Sequence, residues 1–190
     1  YQGGILGCEK SMIRRLKKNN IQIYTGSVMA VSTAVPILTL TELPFLFKTF
    51  EDVDYTNDSL IFNDIEKALY EKGLVFIALT DQGWRNFATN FGHVRSPADL
   101  KEKKMRAQEH KLYVEMYKAY GASPMPVSAP EVLSALQTGI LDGFDQSMLW
   151  SIAASWHQGI KFYTVSKHVH QSAIAVISRK WYEKYKESLN

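Results

Sequence analysis

The 190-residue chain carries 22 Lys+Arg against 19 Asp+Glu, a formal net charge of +3, with 46% hydrophobic and 22% charged residues. That balance is globular and excludes bulk disorder, a collagen-like repeat and a coiled coil. The slight basic excess, with no Lys/Arg run interleaved with aromatics, argues against nucleic acid as a partner. A single cysteine, Cys8, excludes an internal disulfide framework and a zinc ribbon and leaves the redox compartment open.

The chain opens on Tyr1-Gln-Gly-Gly with no initiator Met, basic n-region or signal peptide, and closes on Tyr185–Asn190 inside a helix-like pattern. Both ends read as cut from a longer protein, so the missing signal carries no information on location. Met12, Ile13 and Leu16 share one face of a predicted helix over 9–18. Asn19-Asn20 stops it, and Ile21–Tyr24 alternates as a strand. From Ser27 to Phe47 the only charge is Glu42, but Pro36, Pro44 and the interspersed Ser/Thr argue against a membrane-spanning helix. A buried strand-and-loop segment is expected there.

A helix is predicted over 57–72, with Leu60, Ile61, Ile65, Ala68 and Leu69 at helical spacing. Asn57-Asp58-Ser59 reads as its cap rather than as a glycosylation acceptor. Gly73 ends it, and the apolar run Leu74–Leu79 suits a strand covered on both faces, as in a parallel sheet. Ser96-Pro97-Ala98-Asp99 supplies an N-cap, a proline at N1 and an acid at N3. Lys104–Ala107 follows as a strand, then a helix over 109–120 closed by Gly121. Ser128-Ala-Pro-Glu131 matches a capping box for a helix that runs to Thr138 and stops at Gly139. Strands are predicted over 140–143 and 172–178, and a helix from Arg179. Alternating helices and strands joined by short caps imply an α/β fold with mostly parallel strands. No flexible linker separates two domains; if there are two lobes, the strands at 74–80 and 172–178 connect them.

The signatures of P-loop, dinucleotide, serine-hydrolase and zincin chemistry are absent from the sequence. Cys8, beside Glu9 at a helix start, fits a small packed residue better than an activated thiolate. His168-x-His170 puts two imidazoles on one face of an extended segment, but nothing marks further ligands, so no metal and no cofactor is expected. His93, His110 and His157 stand alone and read as surface or hydrogen-bonded residues. Arg106 ends a predicted strand, where open α/β sheets bind ligands. Its planar fork matches a carboxylate; a surface arginine paired with an acid is the other reading, and position alone does not choose. Trp84-Arg85 and Asp142–Gln146 also follow predicted strands, which together suggests a small-molecule cleft. Trp84, Phe87, Phe144 and Trp150 could equally be core, and for each one singly the core is the better reading.

Ser96-Pro-Ala-Asp-Leu-Lys, Met105-Arg106, Tyr120–Pro126, Glu131–Gly139 and Leu141-Asp-Gly143 form an ordered series. Leu6-Gly7, Gly26-Ser27 and Leu43–Phe47 precede it. The series resembles the solute-binding proteins of TRAP (tripartite ATP-independent periplasmic) transporters, the DctP type, over essentially the whole chain, with family segments missing at both ends. The resemblance implies a two-lobed periplasmic-binding-protein-like α/β fold with hinge-crossing strands, incomplete at both ends. It places 1–81 in lobe I, 82–170 in a ligand-anchoring lobe II, and 171–190 in a crossing strand and helix returning to lobe I. It implies a periplasmic receptor, expected to be monomeric, that binds a small carboxylate-containing organic acid between its lobes and delivers it to a TRAP membrane permease. By the same resemblance Arg106 meets the ligand carboxylate, Arg85 assists it with Trp84 alongside, Gln146 is the amide contact, Ser27 lines the first lobe, and His170-Gln171 faces the cleft. Gln146-Ser147 replaces the family's Asn-Pro, and Ala129 stands where sialic-acid-binding members carry an aromatic, so no one member's ligand transfers. The cleft aromatics leave room for a rather apolar acid.

Two other classes compete: the ligand sensor of a signalling receptor with the same fold, and an α/β enzyme. The second would need a nucleophile–base pair or a metal set, and none is legible.

Overall fold

The computed structural model describes residues 7–188, so Leu6 of the Leu6-Gly7 match and Leu189-Asn190 lie outside the described residues. The chain divides into two compact units. One holds the residues up to Glu42, Leu46–Asp81 and those from Gln171 on; the other holds Leu43–Phe45 and Gln82–His170.

In the first unit, α1 (Glu9–Lys17) buries Ile13 and Leu16. Asn19 turns the chain at φ +62°, a left-handed conformation that asparagine tolerates. Strand β1 (Ile23–Ser27) starts two residues later than the alternation predicts. It pairs antiparallel with the C-terminal part of β6 (Phe162–Ser178), from Ile23 opposite Ile177 to Ser27 opposite Ala173. The segment after Ser27 is not strand and loop. Ser27 Oγ accepts from Ala30 N and caps α2 (Val28–Ser32), and a 3-10 turn follows over Pro36–Glu42. Every residue of α2 is buried, and a helix apolar all round shows none of the 3.6-residue periodicity that would reveal it. Among the described residues, no helix is long and apolar enough to cross a membrane.

The helix predicted over 57–72 begins earlier and is interrupted. Thr49 and Asp52 form the capping box of α3 (Phe50–Tyr55), a π turn follows over Thr56–Leu60, and α4 (Phe62–Glu71) completes the run. Asn57 is therefore buried inside the π turn and caps nothing. Gly73, at φ +86°, ends α4 and leads into β2 (Leu74–Thr89). Ile77 is exposed, so the apolar run is not covered on both faces. The strand also continues past Asp81-Gln82, so Trp84 and Arg85 lie within it, not in a loop behind it. The closing helix α8 is Arg179–Tyr185.

The second unit contains β3 (Lys104–Ala107), α5 (Lys111–Ala119), β4 (Ser123–Pro126), α6 (Val132–Gln137), β5 (Gly143–Gln146) and α7 (Met148–Ala153). The Ser96–Asp99 box caps a 3-10 turn over Pro97–Leu100 as expected. The Ser128 hydroxyl instead donates to the Glu131 carboxylate, and a 3-10 turn leads into α6. Strand β5 lies over 143–146, not 140–143, and α7 was not anticipated. Strand β3 runs parallel to both β4 and β5, whereas β2 and β5, like β1 and β6, are antiparallel. The sheet, in the order β1-β6-β2-β5-β3-β4, is thus mixed rather than mostly parallel. Ala88, Val132, Leu136, Leu141, Phe144 and Trp156 form the core on one face of these strands.

Candidate functional site

Register decides which side chains of the second unit meet. Asn86 pairs with Gln146, Phe87 with Asp145 and Ala88 with Phe144. Arg106 pairs with Phe144. Partners across a ladder point to the same face, and neighbours along a strand alternate. Arg106, Phe144, Gln146 and Asn86 therefore share one face, and Arg85, Phe87 and Asp145 share the other.

Arg106 occupies the third position of the four-residue β3, near its carboxyl end, and is 4% exposed. Its Nε donates to Val127 O at 3.0 Å, and its Cζ lies 5.2 Å from the centroid of the Trp156 ring. Gln146, at the end of β5, is also buried; its Oε1 accepts from Ser147 N at 2.8 Å. Asn86 donates to Tyr163 Oη at 3.1 Å and accepts from Lys167 N at 3.0 Å. Trp84 is buried, with its ring edge-on to His170 at 5.3 Å. Trp84 and Phe87 are thus largely enclosed, Phe144 fully so, while Trp150 is 40% exposed.

The opposite face carries a hub that the sequence did not reveal. Asp145, fully buried, accepts from Arg85 Nε at 2.6 Å, Tyr117 Oη at 2.6 Å and His168 Nε2 at 3.2 Å. Arg85 Nη2 also donates to the Asp145 carbonyl at 2.6 Å, Nη1 reaches Gln108 Oε1 at 3.4 Å, and the guanidinium lies over the Tyr113 ring at 4.3 Å. Burial alone would raise the Asp145 carboxyl; the Arg85 charge, with the His168 and Arg85 hydrogen bonds, outweighs it and holds the group well below the usual carboxylate range. Burial first, then the Asp145 charge, pushes the Tyr117 phenol well up. The resemblance assigned Arg85 to the ligand beside Arg106. The structure points it to the other face and engages it with Asp145, so it is a buried ion-pair partner there.

His168 Nδ1 lies 2.8 Å from Ser166 Oγ, which completes a Ser–His–Asp sequence of hydrogen bonds. Because Asp145 only accepts, His168 Nε2 carries a proton. The imidazole is fully buried and stacked on Phe87 at 4.2 Å with 2° between planes. That environment makes it a packed cross-brace rather than a base open to a substrate. Among the described residues, no group of three or more His, Cys, Asp or Glu converges on a metal position. His110 caps α5 by accepting from Leu112 N, and His93 and His157 have hydrogen-bonding neighbours in Thr164 and Ser151.

Ser27 and Gln171 belong to the first unit. The Glu9 carboxylate accepts from Ser27 N at 2.9 Å, Ser27 Oγ at 2.8 Å and Tyr24 Oη at 2.8 Å. Ser27 thus ties α1, β1 and α2 together. Gln171 is buried, and its Oε1 has no hydrogen-bond partner among the described residues. A buried amide oxygen in that condition is costly until a donor meets it.

Sequence alone gives Tyr117 and Trp156 no role, and places Asp145 only within the cluster Asp142–Gln146 and His168 only within the pair His168-x-His170, because what each does depends on register. The one available signal was the alternation in Gly143-Phe-Asp-Gln146, which separates Phe144 from Asp145 once the strand is placed over 143–146.

Residues 1–189 match the family described as bacterial extracellular solute-binding protein, family 7 (DctP). The 2,3-diketo-L-gulonate-binding periplasmic protein YiaO of Escherichia coli is 27% identical over 181 residues, 94% of this chain and 55% of the relative. A TRAP periplasmic solute-binding protein from Xanthobacter autotrophicus Py2, solved with β-D-galacturonate, superposes with a TM-score of 0.90 at 29% identity, covering 95% of this chain and 60% of that one. Another from Polaromonas sp. JS666, bound to D-erythronate, gives 0.90 at 27% identity, again over 95% of this chain and 60% of that one. The chain spans little more than half the length of these relatives. With a match over nearly its full length and the same mixed α/β fold, it belongs to the DctP family of TRAP solute-binding proteins.

Proposed function

We propose that this chain is the ligand-binding part of an extracytoplasmic TRAP receptor that takes up a small carboxylate-containing organic acid and passes it to membrane permease subunits. A periplasmic location, a monomeric state and the lobe division at 1–81, 82–170 and 171–190 belong to the same proposal. The observation that carries it is Arg106: buried, near the carboxyl end of a strand parallel to both neighbours, and oriented by a carbonyl and an indole face. A carboxylate entering such a place loses hydration, and a bidentate guanidinium offsets the loss. Gln146 shares its face, and the buried Gln171 Oε1 offers an acceptor to a ligand hydroxyl. Trp84, His170 and Ser27 complete the proposed set. Arg85, which the resemblance assigns to the ligand, is engaged with Asp145, the residue before Gln146, and is proposed to support the site through it.

The named relatives bind 2,3-diketo-L-gulonate, galacturonate and D-erythronate, all hydroxylated or oxidised sugar acids. That class therefore heads the panel, ahead of the apolar acids. The test is a thermal-shift screen of sugar acids, dicarboxylates, keto acids and short fatty acids. Stabilisation by one class is expected, with Arg106→Ala costing about 2–5 kcal/mol of binding. No response to any acid, or a response that survives Arg106→Ala, would remove the assignment.

A further inference from the structure

A guanidinium on a flexible stem meets a carboxylate productively only if its plane and roll are set in advance. Two of the contacts of Arg106 act on them. The Nε–Val127 O bond, 3.0 Å long, fixes the roll, and the Trp156 ring, 5.2 Å from Cζ, supports the guanidinium. At Arg85, by contrast, the orienting partner is the Asp145 carboxylate.

Trp156 is itself held in place. It is 2% exposed, with Phe144 edge-on at 5.2 Å and 80°, inside the core that α6 covers. The 3-10 turn Trp156–Gly159 that carries it starts from Ser155 at φ +60°. A Cβ at Gly159 would come within 2.8 Å of Leu136 Cβ, so a side chain there would push the turn off α6.

We infer that Trp156 is a positioning residue: its indole face fixes the plane of the Arg106 fork, so that the ligand carboxylate meets a preset guanidinium. This rests on the carboxylate-receptor reading above. Sequence spacing gives no hint of it, because the two residues lie on separate elements: register sets Arg106 beside Phe144, and Trp156 packs on Phe144 from the 3-10 turn.

The experiment measures affinity for D-galacturonate and D-erythronate in wild type, Arg106→Ala, Trp156→Phe and Trp156→Leu. It also records the Arg106 Nε–H resonance. In the wild type that resonance is displaced by the indole ring current. Trp156→Leu removes the displacement and weakens both acids about tenfold, the scale of a desolvated cation–π contact. Trp156→Phe keeps part of each effect. Should the leucine variant fail to fold, the phenylalanine variant and the wild-type resonance still decide. Arg106→Ala abolishing binding while both tryptophan variants bind as wild type, or a wild-type resonance without displacement, overturns the positioning role and leaves the anchor standing. Binding that survives Arg106→Ala, or no wild-type binding of either acid, overturns the carboxylate reading itself and this inference with it.

Discussion

Replacing Asp145 by Asn tests whether the hub on the far face of the sheet is held by charge. In the folded protein the carboxylate meets Arg85 at 2.6 Å, Tyr117 at 2.6 Å and His168 at 3.2 Å, with Arg85, Asp145 and His168 all fully buried. An amide leaves the Arg85 cation in the interior without its counter-charge. Removing one partner of a buried pair costs about 3–5 kcal/mol. The cost falls on the second unit, where Phe87 and Asp145 form a rung of the β2–β5 ladder. Urea denaturation of both proteins at pH 7 reads the difference as a lower midpoint with an unchanged slope.

The same pair predicts how that difference varies with pH. Asp145 titrates well below the ordinary range when folded, held down by Arg85 against the opposing effect of burial. Unfolded, an aspartate takes up its proton near pH 3.9. Above that pH the full contribution is present. Below it the unfolded chain binds a proton that the folded one does not, and stability falls by about 1.4 kcal/mol per pH unit. The Asp145→Asn variant has no such slope, so the gap between it and wild type narrows by about 2.6 kcal/mol between pH 5 and pH 2. Other carboxylates contribute equally to both proteins and cancel. A gap below about 1 kcal/mol at pH 7, or one that does not narrow in acid, would refute the argument that a buried ion pair holds this face together.

Gly143→Ala places a Cβ 2.5 Å from the Ala88 carbonyl and 3.1 Å from Thr89 Cα, both backbone atoms. The β2–β5 ladder must open, at a cost of about 1–3 kcal/mol, read as a drop in thermal midpoint. Tyr24→Phe removes the 2.8 Å bond to Glu9 and costs about 1.5–3 kcal/mol, the range for hydrogen bonds to charged groups. Burial first, and then the Glu9 charge, raises the Tyr24 phenol far above its ordinary value. Its contribution is therefore complete below about pH 10 and declines above it as the unfolded phenol ionises. Denaturation of both proteins at pH 9 and pH 11 should show Tyr24→Phe lacking that decline, and equal slopes would sink the claim.

Much of the fold is legible where one residue acts on its own neighbours. Asn19, Gly73, Gly121 and Gly139 take positive φ where helix ends were expected, and Ser96-Pro97-Asp99 makes its box. What fails depends on residues far apart in sequence. Asp81-Gln82-Gly83 breaks the apolar run, yet β2 continues through it to Thr89. The all-buried α2 has no polar face to give it a period. The π turn at Thr56–Leu60 shifts the helical phase, so the spacing that predicts one helix over 57–72 runs across that turn into α4.

The two arginines show the same limit at the site. In sequence, Arg85 and Arg106 look alike: each is a cation beside an aromatic or apolar residue near a strand, and the resemblance assigns both to one ligand. One residue of register separates them. Strand β2 places Asn86, not Arg85, opposite Gln146, so Arg85 turns to Asp145 and α5. Strand β3 places Arg106 beside Phe144, so Arg106 turns to Trp156. Charge type alone therefore does not separate the two; the partners that hold each one do. A cation matched by a buried carboxylate contributes to the fold. Arg106, held by the Val127 carbonyl and the Trp156 indole, is the one that the proposed function directs at the ligand carboxylate.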